Sequence, residues 1–183
     1  MLKNFQKELN ELKDSLENCD DENIYSTEDD LIKNVDNVTN NDSIIDPKTV
    51  NLPIDTIGIM SIPKIDLEVT IGEGIDMSTL KYALGYFPNT VTPGDSGNFA
   101  VAGHRNYTYN KYFNRLNEVK IGVPIIVTTL NGKFTYKIDN IRIVDPKEVS
   151  VLDSTEQATI TLVTCTPIRV ATHRLIVKGT LVQ

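Results

Sequence analysis

The sequence predicts a mainly β domain, an antiparallel barrel or sandwich of about eight strands with two or three short helices, preceded by an acidic extension. Three observations carry this. All ten glycines and seven of the eight prolines lie after residue 50, which concentrates tight turns there. Apolar, β-branched runs recur at short intervals through the same region. Asn131-Gly132 sits between two such runs, and that dipeptide is the strongest short hairpin signal.

The elements follow in order. Residues 1–50 carry 5 lysines against 13 acidic residues, a charge of −8, while residues 51–183 carry +1. Leu2, Phe5, Leu9, Leu12 and Leu16 recur at spacings of three and four, one apolar stripe on a helix. Residues 18–46 are rich in Asp, Asn, Ser and Thr and read as a loosely held linker. The chain therefore divides into a helical, acidic extension over 1–50 and a β domain over 51–183. In that domain, Thr56–Ile62 and Leu67–Ile71 read as strands, with Gly72 and Gly74 ending the second. Met77–Leu84 reads as a short helix capped by Asp76. Asn98–His104 reads as a strand and Tyr109–Leu116 as a helical turn or two. Ile125–Leu130 and Lys133–Val144 form the hairpin, and residues 145–156 a loop entered by Asp145-Pro146. Ala158–Cys165 and Arg174–Val182 complete the strands.

Composition narrows the function. Forty per cent of the 183 residues are apolar, enough for a core, and the net charge is −7. A net acidic chain is a poor partner for nucleic acid, whose phosphates need a basic surface. Two cysteines make neither a disulfide framework nor a four-cysteine zinc site. No apolar run approaches the length of a membrane span, and the N-terminus lacks a signal-peptide pattern. The chain as it stands is expected to be soluble.

The β domain holds few reactive side chains. Cys165 is its one cysteine, and His104 and His173 are its histidines. A lone cysteine ordinarily behaves as a small buried hydrophobe. Cys165, however, ends an apolar strand just before Thr166-Pro167, where a substrate can reach it. His104 ends a second strand and Arg174 begins the last. Together they supply a nucleophile, a proton carrier and an oxyanion stabiliser, which suffice for acyl transfer. Strand alternation turns His173 to the face opposite Arg174, so His173 is left out.

Thr161-Leu162-Val163-Thr164-Cys165 matches the TLxTC motif of sortases, the cysteine transpeptidases of Gram-positive bacteria. Ala102-Gly103-His104-Arg105 resembles the segment carrying the sortase histidine, and Thr172-His173-Arg174-Leu175 the one carrying the sortase arginine. Three motifs in the right order, within residues 54–183, make the resemblance specific. It implies an eight-stranded β-barrel that cleaves an LPxTG-like sorting signal after Thr through a thioacyl intermediate. By motif match, Cys165 is the nucleophile, His104 the general acid/base and Arg174 the oxyanion or substrate clamp. Thr164 is expected to make a backbone or hydroxyl contact near the oxyanion. Ala102, on the same side as His104, leaves room for an apolar substrate residue.

The resemblance further implies secreted proteins bearing the signal as donors and a cell-wall peptide amine as acceptor. It implies a location on the outer face of the cell membrane, with a membrane anchor upstream of this chain. Pilin-polymerising class C enzymes carry an Asp-Pro-aromatic lid, whereas Asp46-Pro47 is followed here by Lys48. The compact C-terminal end and Asn106-Tyr107-Thr108-Tyr109 are most similar to class D. A class C-like polymerase with a lysine acceptor is the second reading. A sortase-like module that holds peptides without turnover is the third, and the presence of all three catalytic residue types weighs against it. Calcium binds acidic loops in some sortases, but the acidic residues here lie mostly in residues 1–50. No metal site and no cofactor is therefore assigned.

Overall fold

The computed structural model describes residues 55–105, 112–168 and 170–183. The expected N-terminal helix, the linker and the 106–109 run lie outside the described residues.

Eight strands close into a barrel. They are β1 (Thr56–Ile62), β2 (Leu67–Glu73), β3 (Leu84–Tyr86), β4 (Gly97–Ala102), β5 (Pro124–Thr129), β6 (Gly132–Val144), β7 (Ala158–Thr166) and β8 (His173–Leu181). Their order around the barrel is β1-β2-β3-β4-β7-β8-β6-β5. Most neighbours are antiparallel, as expected from the hairpins. The pairs β2–β3 and β4–β7 are parallel. Among the described residues the single α-helix is α1 (Met77–Tyr82), and 3-10 turns occupy Pro63–Ile65, Leu116–Glu118 and Val149–Leu152. Among the described residues no helix is long and apolar enough to cross a membrane.

Alternation along the strands builds two apolar clusters. Phe99 and Val101 of β4, Ile160 and Leu162 of β7, and Leu175 and Val177 of β8 point into the barrel with Ile125, Val127 and Tyr136. The neighbouring residues Ala100, Ala102, Val163, Cys165 and Ile176 point to the other face of the same sheet. There Leu80 of α1, Ile75, Phe87, Val151 and Leu152 pack against them. Each fully buried Leu, Ile or Phe contributes roughly 1.5–3 kcal/mol, so both faces of β4, β7 and β8 hold the sheet in place.

Several boundaries shift for identifiable reasons. β2 continues through Gly72, which pairs with Thr56 of β1 and Gly85 of β3, and stops at Gly74, whose φ is +86°. Asp76 caps α1 as expected, accepting a hydrogen bond from the Thr79 N–H at 3.1 Å. The helix ends at Tyr82 rather than Leu84, because Leu84–Tyr86 pairs with β2 as a strand. The hairpin loop is Leu130-Asn131, since Thr129 pairs with Gly132. Gly132 opens β6 at φ +148°, a backbone conformation that glycine adopts without strain. The expected helix around residue 112 is a turn over 112–115 followed by Leu116–Glu118.

Candidate active site

The site sits at one end of β4, β7 and β8, on the face opposite the barrel interior. Cys165 and Arg174 are direct partners in the antiparallel β7–β8 register. Such partners have Cα atoms about 4.5–5.5 Å apart and share a face. Cys165 is 6% exposed and Arg174 also 6%. The Arg174 guanidinium donates through one terminal nitrogen to the carbonyls of Ala171 at 3.0 Å and His173 at 3.1 Å. Those bonds hold a buried cation at the strand start beside the thiol.

His104 approaches from β4. Ala102 pairs with Val163 in the parallel β4–β7 register, and His104 and Cys165 each lie two residues further along. The alignment persists beyond the last ladder pair. Gly103 N–H donates to the Val163 carbonyl at 3.1 Å, and the Thr164 hydroxyl donates to the Gly103 carbonyl at 2.7 Å. The sequence expectation carried β4 to His104; the strand proper ends at Ala102, and the Phe113 N–H captures the His104 carbonyl at 3.1 Å. Glycine is needed at 103, because an added Cβ would stand 2.6 Å from Leu84 Cδ2 and 2.6 Å from Phe113 Cδ2. His104 is buried, and burial pushes its imidazole below the ordinary value of 6.5, toward the neutral form.

Between these groups and Val149–Leu152 the sheet face is apolar and fine-grained. Ala100, Ala102, Val163 and Ile176 lie on it, all buried. Ile75, Leu80 and Phe87 pack against them, as do Val151 and Leu152. The Val149–Leu152 turn is pinned by a buried amide. Asn98 Nδ2 donates to the carbonyls of Val151 at 3.1 Å and Asp153 at 3.2 Å, while its Oδ1 accepts from Thr161 Oγ1 at 2.6 Å. A fully bonded buried amide of this kind fixes a loop that would otherwise move.

Each expected site residue therefore has a definite place. Cys165, Arg174 and His104 come together at the strand ends, and Ala102 lies on the same face as Cys165. Thr164 points to the opposite face from Cys165, and its hydroxyl binds the β4 backbone rather than facing the groove. His173 is exposed, its Nδ1 2.9 Å from the Thr172 hydroxyl. Arg105, next to His104, turns to the end of β7. Its guanidinium reaches the carbonyls of Asn114 at 3.3 Å and Cys165 at 3.4 Å and the hydroxyl of Thr166 at 3.0 Å. Strand alternation directs a residue after His104 away from the site, so the sequence held no signal for this contact.

A sortase domain model matches residues 60–182. The chain is 35% identical over 141 residues to sortase SrtE1 of Streptomyces coelicolor, covering 68% of this chain and 40% of the relative. It is 32% identical over 139 residues to sortase A of Streptococcus agalactiae, covering 73% and 55%. Among solved structures, the Clostridium perfringens sortase D5 transpeptidase is similar at 31% identity and a TM-score of 0.65, covering 97% of this chain and 98% of that one. The chain spans about half the length of the curated relatives it matches. Sortases named A, C, D and E all occur among the matches. The family match runs from inside β1 to the end of β8 and so takes in the whole barrel and all three strand ends of the site: the chain belongs to the sortase family.

Proposed function

We propose that this protein is a cysteine transpeptidase that cleaves an LPxTG-like sorting signal after its Thr and joins the new carboxyl end to a cell-wall amine. The observation that carries the reading is the register pair Cys165–Arg174 at the end of an apolar sheet face, with His104 two residues beyond the Ala102–Val163 pair. The Cys165 thiolate attacks the Thr carbonyl carbon, and Arg174 hydrogen-bonds the oxygen that becomes negative. Protonated His104 gives its proton to the departing amine as the peptide bond breaks, leaving a thioester on Cys165. Neutral His104 then takes a proton from the acceptor amine as that nitrogen attacks the thioester, and the thiolate leaves. Burial keeps most of the resting His104 neutral, so only a fraction of enzyme holds the thiolate–imidazolium pair, and the pH profile is bell-shaped.

The Leu and Pro of the signal bind beside Cys165, next to the Asn98-pinned turn at Val149–Leu152. Thr164 positions the His104 strand through Gly103. Class D is the favoured class, supported by the near end-to-end likeness to the Clostridium perfringens enzyme. On this reading residues 1–50 form an extension to the catalytic domain, and the protein works at the outer face of the cell membrane.

The test is a peptide assay on the purified chain beside Cys165→Ala. Fluorogenic LPxTG and LPxTA peptides are offered with and without an amine acceptor, and intermediates are trapped for mass spectrometry. The expected result is Cys165-dependent cleavage with a thioacyl adduct on Cys165. Cleavage that survives Cys165→Ala overturns the assignment, and so does the absence of an adduct with both peptides.

A further inference from the structure

We propose that Arg105 is a positioning residue for the nucleophile, bracing the end of β7 from behind and supplying a second fixed positive charge beside Cys165. The inference rests on Cys165 being the nucleophile. Three segments meet at this guanidinium. Its Nε donates to the Asn114 carbonyl at 3.3 Å, within the turn over 112–115. One terminal nitrogen donates to the carbonyl of Cys165 itself at 3.4 Å and to the Thr166 hydroxyl at 3.0 Å. Arg105 therefore links the exit of β4, which carries His104, to the exit of β7, which carries Cys165. A planar fork suits this task, because one rigid group serves acceptors on two segments at once, which a lysine does not.

The charge matters as much as the bonds. Burial lowers the Arg105 pKa and a negative charge on Cys165 raises it, but the group stays protonated at working pH. The interaction is reciprocal: a guanidinium that is stabilised by the thiolate stabilises the thiolate in turn. Among the described residues, the charged or titratable groups around Cys165 are His104 at the end of β4, Arg174 on β8 and Arg105. The other elements packed into its cluster contribute apolar side chains: Leu80 of α1, Phe87 after β3, Val144 of β6, Leu152, and Ala171 before β8. Arg174 lies on the groove side, where a substrate oxygen competes for it. Arg105 binds the Cys165 backbone, so its charge stays in place through the cycle.

The test compares Arg105→Gln and Arg105→Lys with the unmodified full chain. The pH dependence of Cys165 alkylation by iodoacetamide is read by peptide-level mass spectrometry, so that Cys19 does not contribute. Turnover of an LPxTG peptide and the melting temperature are measured alongside. Arg105→Gln is expected to raise the alkylation midpoint by about half to one pH unit and to lower kcat about tenfold, with KM less affected. Arg105→Lys is expected to restore the midpoint but not the full kcat. An unchanged midpoint in folded Arg105→Gln overturns the electrostatic part, and a wild-type kcat in Arg105→Lys overturns the brace. If Arg105→Gln fails to fold, Arg105→Lys decides alone: its midpoint must stay and its kcat must fall. Alkylation needs no sorting signal, so a shifted midpoint without peptide cleavage counts against the substrate assignment and not against Arg105.

Discussion

The two faces of the β4–β7–β8 sheet are made by the same three strands, yet they differ in what they can tolerate. The inner face presents Phe99, Val101, Ile160 and Leu162 to a barrel sealed on all sides, with Tyr136 and Phe113 filling its volume. The outer face presents Ala100, Ala102, Val163 and Cys165, and it ends in His104 and Arg174. Large side chains fill the inner face, and small ones on the outer face let Leu80, Phe87, Val151 and Leu152 pack close beside the thiol. A single shift of register would exchange the two sets, so the pairing that stabilises the barrel also aims the thiol.

That division is open to direct attack. The largest effect is expected from Leu162→Ala, which removes a fully buried side chain from the inner face. It should cost about 2–5 kcal/mol in urea unfolding. A loss near zero would mean that the inner face does not carry the stability assigned to it. Ala102→Leu, on the outer face, should lower kcat/KM for an LPxTG peptide about tenfold by crowding the packed face beside Cys165. Its melting temperature should fall less than that of Leu162→Ala. Unchanged peptide kinetics would place the substrate elsewhere.

The smallest effect concerns His104 and sharpens the comparison through pH. Its folded-state pKa is depressed below 6.5 by burial. The folded state therefore binds this proton less readily than the unfolded state does. The stability tied to neutral His104 is complete above about pH 6.5 and is lost as pH falls through the lowered folded value. His104→Asn should flatten urea midpoints between pH 7.5 and 5 relative to the unmodified chain. An equal slope in both proteins would show that burial does not depress this imidazole.

The sequence disclosed the strands more readily than their ends. The pattern of apolar, β-branched runs located all of β1, β5, β6, β7 and β8 to within a residue. It misread Leu84 as helix, since a three-residue strand has too few positions to show a period. It placed the hairpin one residue late, because Asn131-Gly132 marks a turn without fixing which residue rejoins the ladder. Cys165, His104 and Arg174 were legible as candidates through motif order. Their meeting was not: it depends on the parallel β4–β7 pairing, which joins Gly103 to Thr164 across 61 positions. Arg105 lay beyond reach for the same reason, as its partners are fixed by where the chain turns after Ala102.

The closed barrel has a consequence for how any peptide is read. β7 is flanked by β4 on one side and β8 on the other, so its backbone N–H and C=O groups are already committed to ladders. A visiting peptide finds no free edge and cannot be recruited as an extra strand. On the proposed function, recognition then comes from the side chains of the peptide. A proline, which would spoil a backbone ladder, carries no such penalty, and its fixed φ means that less chain freedom is lost on binding. A short, proline-bearing signal of the proposed kind fits a barrel whose β7 has no free edge.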